Sequence, residues 1–150
     1  MKFKLFILSI FCFFSLSIFG QVSISGRVIG EYLDIPHEVF IHDKDSNLLG
    51  KCDFDGYFKI ELASNSNELY FSGIEFEKIK IVVNTECNYL EVILLNKVIY
   101  DFISSRKIDK LRKKRFKKLS HVRQEAINKK LFKYEIACYS QEYESTRKRN

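Results

Sequence analysis

Residues 48–62, LLGKCDFDGYFKIEL, turn this chain back on itself. The stretch opens on apolar Leu48 and Leu49. It closes with Phe58, Ile60 and Leu62 alternating with Tyr57, Lys59 and Glu61. Such alternation buries one face of a strand and wets the other. Between the two halves stand Asp53, Asp55 and Gly56. Aspartate side chains accept hydrogen bonds from their own backbone, and glycine reaches backbone angles closed to other residues, so the acids read as turn formers. A chain that holds this hairpin is bound to a sheet.

The same period recurs along the first two thirds of the chain. Val22, Ile24 and Val28 alternate with Ser23, Ser25 and Arg27, and Ile79, Ile81 and Val83 alternate with Lys78 and Lys80. Further strands are predicted at 38–42, 48–52, 68–72 and 89–95. Polar turn clusters at 43–47, 53–56, 64–67 and 84–88 separate them. Seven short strands with frequent turns predict a mainly β fold, a seven-stranded antiparallel β-sandwich.

The first twenty residues stand apart. Lys2 and Lys4 precede an apolar run from Leu5 to Phe14, and small Gly20 precedes Gln21. This is the layout of a secretory signal, too short for a comfortable membrane span. Cleavage is expected after Gly20, with no transmembrane span in the mature chain. Cys12 lies mid-run behind bulky Phe11, which does not suit a lipoprotein acceptor. Export predicts a periplasmic, outer-membrane-associated or secreted protein.

The charge is divided. Residues 21–96 carry six Lys+Arg against thirteen Asp+Glu, a net of −7; residues 97–150 carry seventeen against six, a net of +11. In this basic part the period changes. Ile108, Leu111, Phe116 and Leu119 recur at helical spacing, which predicts an amphipathic helix over 106–119 with Lys107, Lys110, Lys113, Lys114, Lys117 and Lys118 on the other face. Arg112 and Arg115 fall within the apolar stripe, where their stems can lie flat and the guanidinium reach water or a carboxylate. Ser120 is expected to cap a second helix over 121–131, with Val122, Ala126 and Ile127 inward. Residues 132–143 are expected to pack and the last residues to fray. The strand at 89–95 is apolar on both faces, which predicts that the helices cover its outer side, aided by opposite charge.

Chemistry is sparse. After the leader three cysteines remain, Cys52, Cys87 and Cys138. Either Cys52 and Cys87 are small buried hydrophobes, or one disulfide forms and one thiol stays free. Asp43, Asp45 and Asn47 begin like a calcium loop, but Leu48 stands where glycine belongs and Phe54 where the late acid belongs. His37, His42 and His121 lie in no nucleophile motif. A hydrolase built on Cys138 and His121 has only residue types in its favour. No residue is therefore assigned a catalytic, cofactor-binding or metal-ligating role, and no cofactor is expected.

ISGRV at 24–28, EVFIHD at 38–43, the 48–62 hairpin, LYFSGIEFEKIKIVV at 69–83 and YLEVIL at 89–94 together give the chain a familiar look. In this order the segments resemble the carboxypeptidase regulatory-like domain, a transthyretin-like (prealbumin-like) β-sandwich. The resemblance covers about half of the chain. Cys52 stands where the family's hairpin usually has threonine, and Glu75 where glycine is common. The resemblance implies a structural or binding module, not a peptidase, of the stand-alone exported bacterial kind. Similar modules open bacterial TonB-dependent receptors, but the residues after 96 are too few for a barrel.

The expectation is thus a signal peptide at 1–20, a sandwich at 21–96 and a short, basic helical extension at 97–150. Its function is read as non-enzymatic binding or assembly at the cell envelope, with the basic tail as contact surface for an unknown envelope protein. The alternative is a peripheral binder of anionic membrane or lipopolysaccharide through the Lys-rich helix, and the remote one an unrecognised enzyme. Export argues against nucleic acid as a ligand.

Overall fold

A computed structural model describes residues 20–84 and 86–145. The leader, with Cys12, and the end of the tail lie outside the described residues. Eight strands and two helices follow in order: β1 Gln21–Gly30, β2 Phe40–His42, β3 Leu48–Lys51, β4 Tyr57–Ala63, β5 Glu68–Ser72, β6 Ile79–Val83, β7 Tyr89–Leu94, α1 Ser105–Lys117, α2 Leu119–Asn128 and β8 Tyr139–Ser140.

The strands form two sheets, one ordered β4-β1-β7 and the other β3-β2-β5-β6-β8. Both contribute to one hydrophobic cluster. Val28, Phe58, Leu90 and Val92 come from the smaller sheet, and Ile41, Leu69, Phe71 and Ile81 from the larger. Phe58 meets Phe71 edge to face, with ring centroids 5.6 Å apart. Burying side chains of this size contributes roughly 1.5–3 kcal/mol each.

The turn at 53–57 is built as its residues dictate, but the expected hairpin is not formed. β3 pairs with β2 in the larger sheet and β4 with β1 in the smaller, so the segment crosses between sheets. Alternation fixes the buried face and not the partner strand. Asp53 Oδ1 accepts the N–H groups of Asp55 at 3.0 Å and Tyr57 at 2.7 Å. Gly56 has φ of 80°, and its carbonyl accepts the Val28 N–H at 2.8 Å. A Cβ there would sit 2.4 Å from the Val28 carbonyl oxygen, so both the backbone angle and the close approach require glycine.

Three further expectations are corrected. First, the sheets are not wholly antiparallel: β1 runs parallel to β7, pairing Ser25 with Tyr89 through to Gly30 with Leu94. Period two reports which face is buried and says nothing of strand direction. Second, the described residues hold eight strands, not seven. Ser140 pairs with Val82 and Tyr139 with Val83, so the C-terminal extension adds an edge strand too short to show a period. Third, α2 begins at Leu119 with no side-chain cap, and Ser120 lies inside it. Lys118 keeps right-handed helical angles (φ −84°, ψ −8°), so the chain kinks between the two helices rather than leaving the helical region.

The helical segment covers the outer face of the smaller sheet, as the two-sided apolar character of 89–95 requires. Ile29 and Ile93 form a second buried cluster with Ala126 and Phe132, flanked by Leu119, Val122 and Leu131. Cys87, between β6 and β7, is disulfide-bonded to Cys138 next to β8. Cys52 stays free and buried. Of the two cysteine readings, one disulfide with one free thiol is the one observed.

Candidate functional site: the lysine face of the first helix

Three arginines fix the helices to the acidic part. Arg112 on α1 donates through Nε to Glu77 Oε1 at 3.0 Å and Oε2 at 2.9 Å, and through Nη1 to the Glu144 carbonyl at 3.2 Å. Arg115, one position short of a full turn later, grips Glu31 in the loop after β1: Nε donates to Oε2 at 3.0 Å and Nη2 to Oε1. Its Nη2 also donates to the Asn96 carbonyl at 2.7 Å. Hydrogen bonding to Glu77 raises the Arg112 pKa beyond its ordinary value. Burial opposes the Arg115 charge, yet its bonds to Glu31 and Tyr100 and the Glu31 charge outweigh burial and raise its pKa as well. Both stay cationic, and the forked guanidinium matches the carboxylates in two-point contacts.

The third arginine makes the most buried junction. Glu91, on the outer face of β7, is 4% exposed, and Arg123 on α2 is 6% exposed. Arg123 Nη1 lies 3.4 Å from Glu91 Oε2 and donates to the Tyr134 carbonyl at 3.2 Å. The carboxylate also accepts the Lys133 N–H at 2.6 Å and the Tyr134 N–H at 3.1 Å. Glu91 thereby holds both α2 and the segment after it. No periodicity pointed to this pair, because a carboxylate on an otherwise apolar strand face has meaning only when its partner is known.

With Arg112 and Arg115 turned to the sheet, the lysines and Arg106 take the exposed face of α1. Lys107, Lys110, Lys113, Lys114 and Lys117, together with Lys118 at the kink, are exposed. Spacings of three and four place Lys107, Lys110, Lys114 and Lys117 in one line along the helix. Leu111 departs from its expectation. It is exposed and lies among Lys107, Lys110 and Lys114 around a shallow depression of about 630 Å³, not in the buried stripe. The sheet-facing positions are held by Ile108, Arg112, Arg115 and Phe116, and the Glu77 and Glu31 carboxylates favour arginine there over a second leucine.

The residues weighed for other chemistry do not converge. Asp43 Oδ1 accepts the N–H groups of Asp45 and Asn47, each at 2.8 Å, and Oδ2 accepts Asn47 Nδ2 at 2.8 Å. That carboxylate is engaged by its own turn, and hydrogen bonding to Asn47 lowers its pKa. His42 is half-buried on β2 opposite Tyr70, and His37 is exposed in a loop. His121 is exposed, 3.5 Å from Glu125. Cys138 is bonded to Cys87 and offers no thiolate to His121. Burial pushes the Cys52 thiol up to about 12, which keeps it protonated and unreactive. Among the described residues no group of three or more His, Cys, Asp or Glu could hold a metal ion, and no helix is long and apolar enough to cross a membrane.

No protein-family model matches the chain, and no curated protein matches it.

Proposed function

We propose that this chain is a non-enzymatic, exported module of a bacterial cell envelope. Its β-rich part serves as a carboxypeptidase regulatory-like, transthyretin-like sandwich, and the lysine face of α1 is the surface that meets an anionic partner. The order and spacing of the segments from ISGRV to YLEVIL support the family reading, and two sheets sharing one core are compatible with a sandwich. The observation that carries the functional reading is the sorting of the cations. Arg112, Arg115 and Arg123 pair with Glu77, Glu31 and Glu91, while six lysines of the same region stand in solvent. Charges needed only for docking the helices would end with the arginines.

The test is affinity capture from the protein's own envelope fraction at low and high salt. The chain with Lys113, Lys114, Lys117 and Lys118 all changed to Glu serves as the comparison. Capture that weakens at high salt and vanishes in the charge-reversed chain supports the reading. Capture that survives both changes refutes it.

A further inference from the structure

The α1 lysines are not alone at their end of the molecule. The segment entering α1 carries Ile99, 87% exposed, and Phe102, fully exposed. Phe102 has φ of 57°, a left-handed backbone angle that is unfavourable for a bulky side chain. The segment is nonetheless fixed at its base. Lys97 Nζ donates to the Gly73 carbonyl at 3.2 Å and the Ile74 carbonyl at 2.9 Å, and the Lys97 N–H donates to the Glu75 carbonyl at 2.7 Å. These bonds hold the backbone at Ile74, itself exposed, against Lys97. Arg115 Nη1 donates to the Tyr100 hydroxyl at 3.4 Å, which ties the middle of the segment to the helix. Phe102 lies five residues before Lys107, within roughly 17 Å even along an extended chain. An exposed apolar knob, Ile99 and Phe102, therefore lies within that reach of the N-terminal end of the lysine line.

Resting on the proposed function, we infer that the anionic partner is a phospholipid bilayer surface, with Ile99 and Phe102 inserted at headgroup depth. The choice of cation favours lipid over protein. Lysine is a flexible, strongly hydrated point charge suited to a diffuse layer of phosphates, whereas arginine's fork suits fixed carboxylates. Arg112, Arg115 and Arg123 direct their forks inward, and six lysines, beside the single exposed Arg106, point outward. Lysine stems around exposed Leu111 can lie along the membrane with their ammonium groups at phosphate level. Glu75 and Asp101, exposed beside the knob, oppose deeper entry and hold it at the headgroups.

The chain contains no tryptophan, so Phe102→Trp gives a single reporter at the inserted position. The exported chain, with an identical N-terminus in every variant checked by intact mass, is mixed with vesicles of phosphatidylglycerol and phosphatidylcholine, or of phosphatidylcholine alone. The inference expects a blue shift and quenching by lipids brominated in the acyl chains, with the mixed vesicles only. In co-sedimentation, Phe102→Ser lowers partitioning on the order of tenfold. Each lysine adds about fivefold near an anionic surface, so Lys114→Glu with Lys117→Glu, a change of four charges, lowers it by roughly 600-fold. A reporter that stays unshifted on vesicles that sediment the protein overturns insertion and leaves the proposed function standing. So does binding to lipopolysaccharide, or salt-sensitive capture of an envelope protein, without binding to the mixed vesicles. Loss of every charge-dependent interaction overturns both.

Discussion

Removing the Cys87–Cys138 disulfide is expected to lower the melting temperature by about 15 °C. The bond joins positions 51 apart, one between β6 and β7 and the other next to β8. Freeing a loop of that length in the unfolded chain is worth about 4 kcal/mol at 25 °C in the chain-entropy account. Unfolding entropy is roughly 2.1 cal/mol/K per residue, or about 0.26 kcal/mol/K for about 125 described residues, and the ratio gives the shift. The assay is thermal melting by circular dichroism of Cys87→Ala/Cys138→Ala beside the parent chain with and without reductant. Melts belong below pH 9. Burial raises the Cys52 pKa in the fold from 9.0 to about 12, so its contribution is complete below 9 and lost as pH climbs from 9 towards 12, where the unfolded thiol ionises first. Thiol labelling supplies the internal control. Among the described residues, the native unreduced chain is expected to label nowhere, the denatured unreduced chain at Cys52 alone, and the denatured reduced chain at Cys52, Cys87 and Cys138. A fall of less than about 4 °C, roughly 1 kcal/mol, would refute the reasoning, as would two labelled thiols in the native unreduced chain.

Glu91→Ala leaves the Arg123 guanidinium buried without its carboxylate and is expected to cost about 3–5 kcal/mol in urea unfolding. Glu91→Gln with Arg123→Met keeps an acceptor for the Lys133 and Tyr134 N–H groups, removes both charges and is expected to cost less. A single-variant loss under about 1 kcal/mol would show that the pair is open to water. Lys130 ends α2 with φ of 58°, while the Leu131 N–H donates to the Ala126 carbonyl at 2.8 Å and the Lys130 N–H to the Ile127 carbonyl at 2.8 Å. This is the helix stop that usually holds glycine, so Lys130→Gly is expected to stabilise by about 1 kcal/mol and Lys130→Ala to do nothing. Equal melting of all three chains would contradict it.

The sheets were largely legible because their signals are local. Alternation in Tyr57–Ala63 placed Phe58, Ile60 and Leu62 inward, and all three are core. Asp43 and Asp53 were readable as turn formers because their partners lie two and four residues on. What stayed hidden depends on distant pairings. Nothing in β1 or β7 announces that they run in the same direction. The sequence assigned no role to Glu91 or Arg123, because they stand 32 positions apart and meet only when α2 covers the outer face of β7. Three cysteines allow three pairings, and only the approach of β8 to β6 selects one. Leu111 misled for the opposite reason. Helical spacing assigned it inward, but carboxylates on the sheet drew Arg112 and Arg115 to the inner face and rotated the leucine towards the lysines.

The split between the two cations explains how one short helix can be both anchored and available. Docking a helix through buried charge requires partners fixed in place, since an unpaired buried guanidinium is strongly destabilising. Glu31, Glu77 and Glu91 meet that need from two loops and a strand, and each engages an arginine. The lysines contribute almost nothing to this docking, because exposed charges interact weakly with anything on their own molecule. Lys114, Arg115 and Lys117 in the last turn do suit the negative end of the α1 dipole, but that term is only about 0.3–1 kcal/mol. The two sets are therefore separable by substitution. Reversing the lysines changes what the surface attracts while the arginine pairs keep the helix in place. Replacing Arg112 or Arg115 releases the helix and takes the lysine line out of register with the apolar knob. A loss of binding in the first case with the melting temperature preserved, and in the second only together with a fall in melting temperature, is the pattern this division of labour demands.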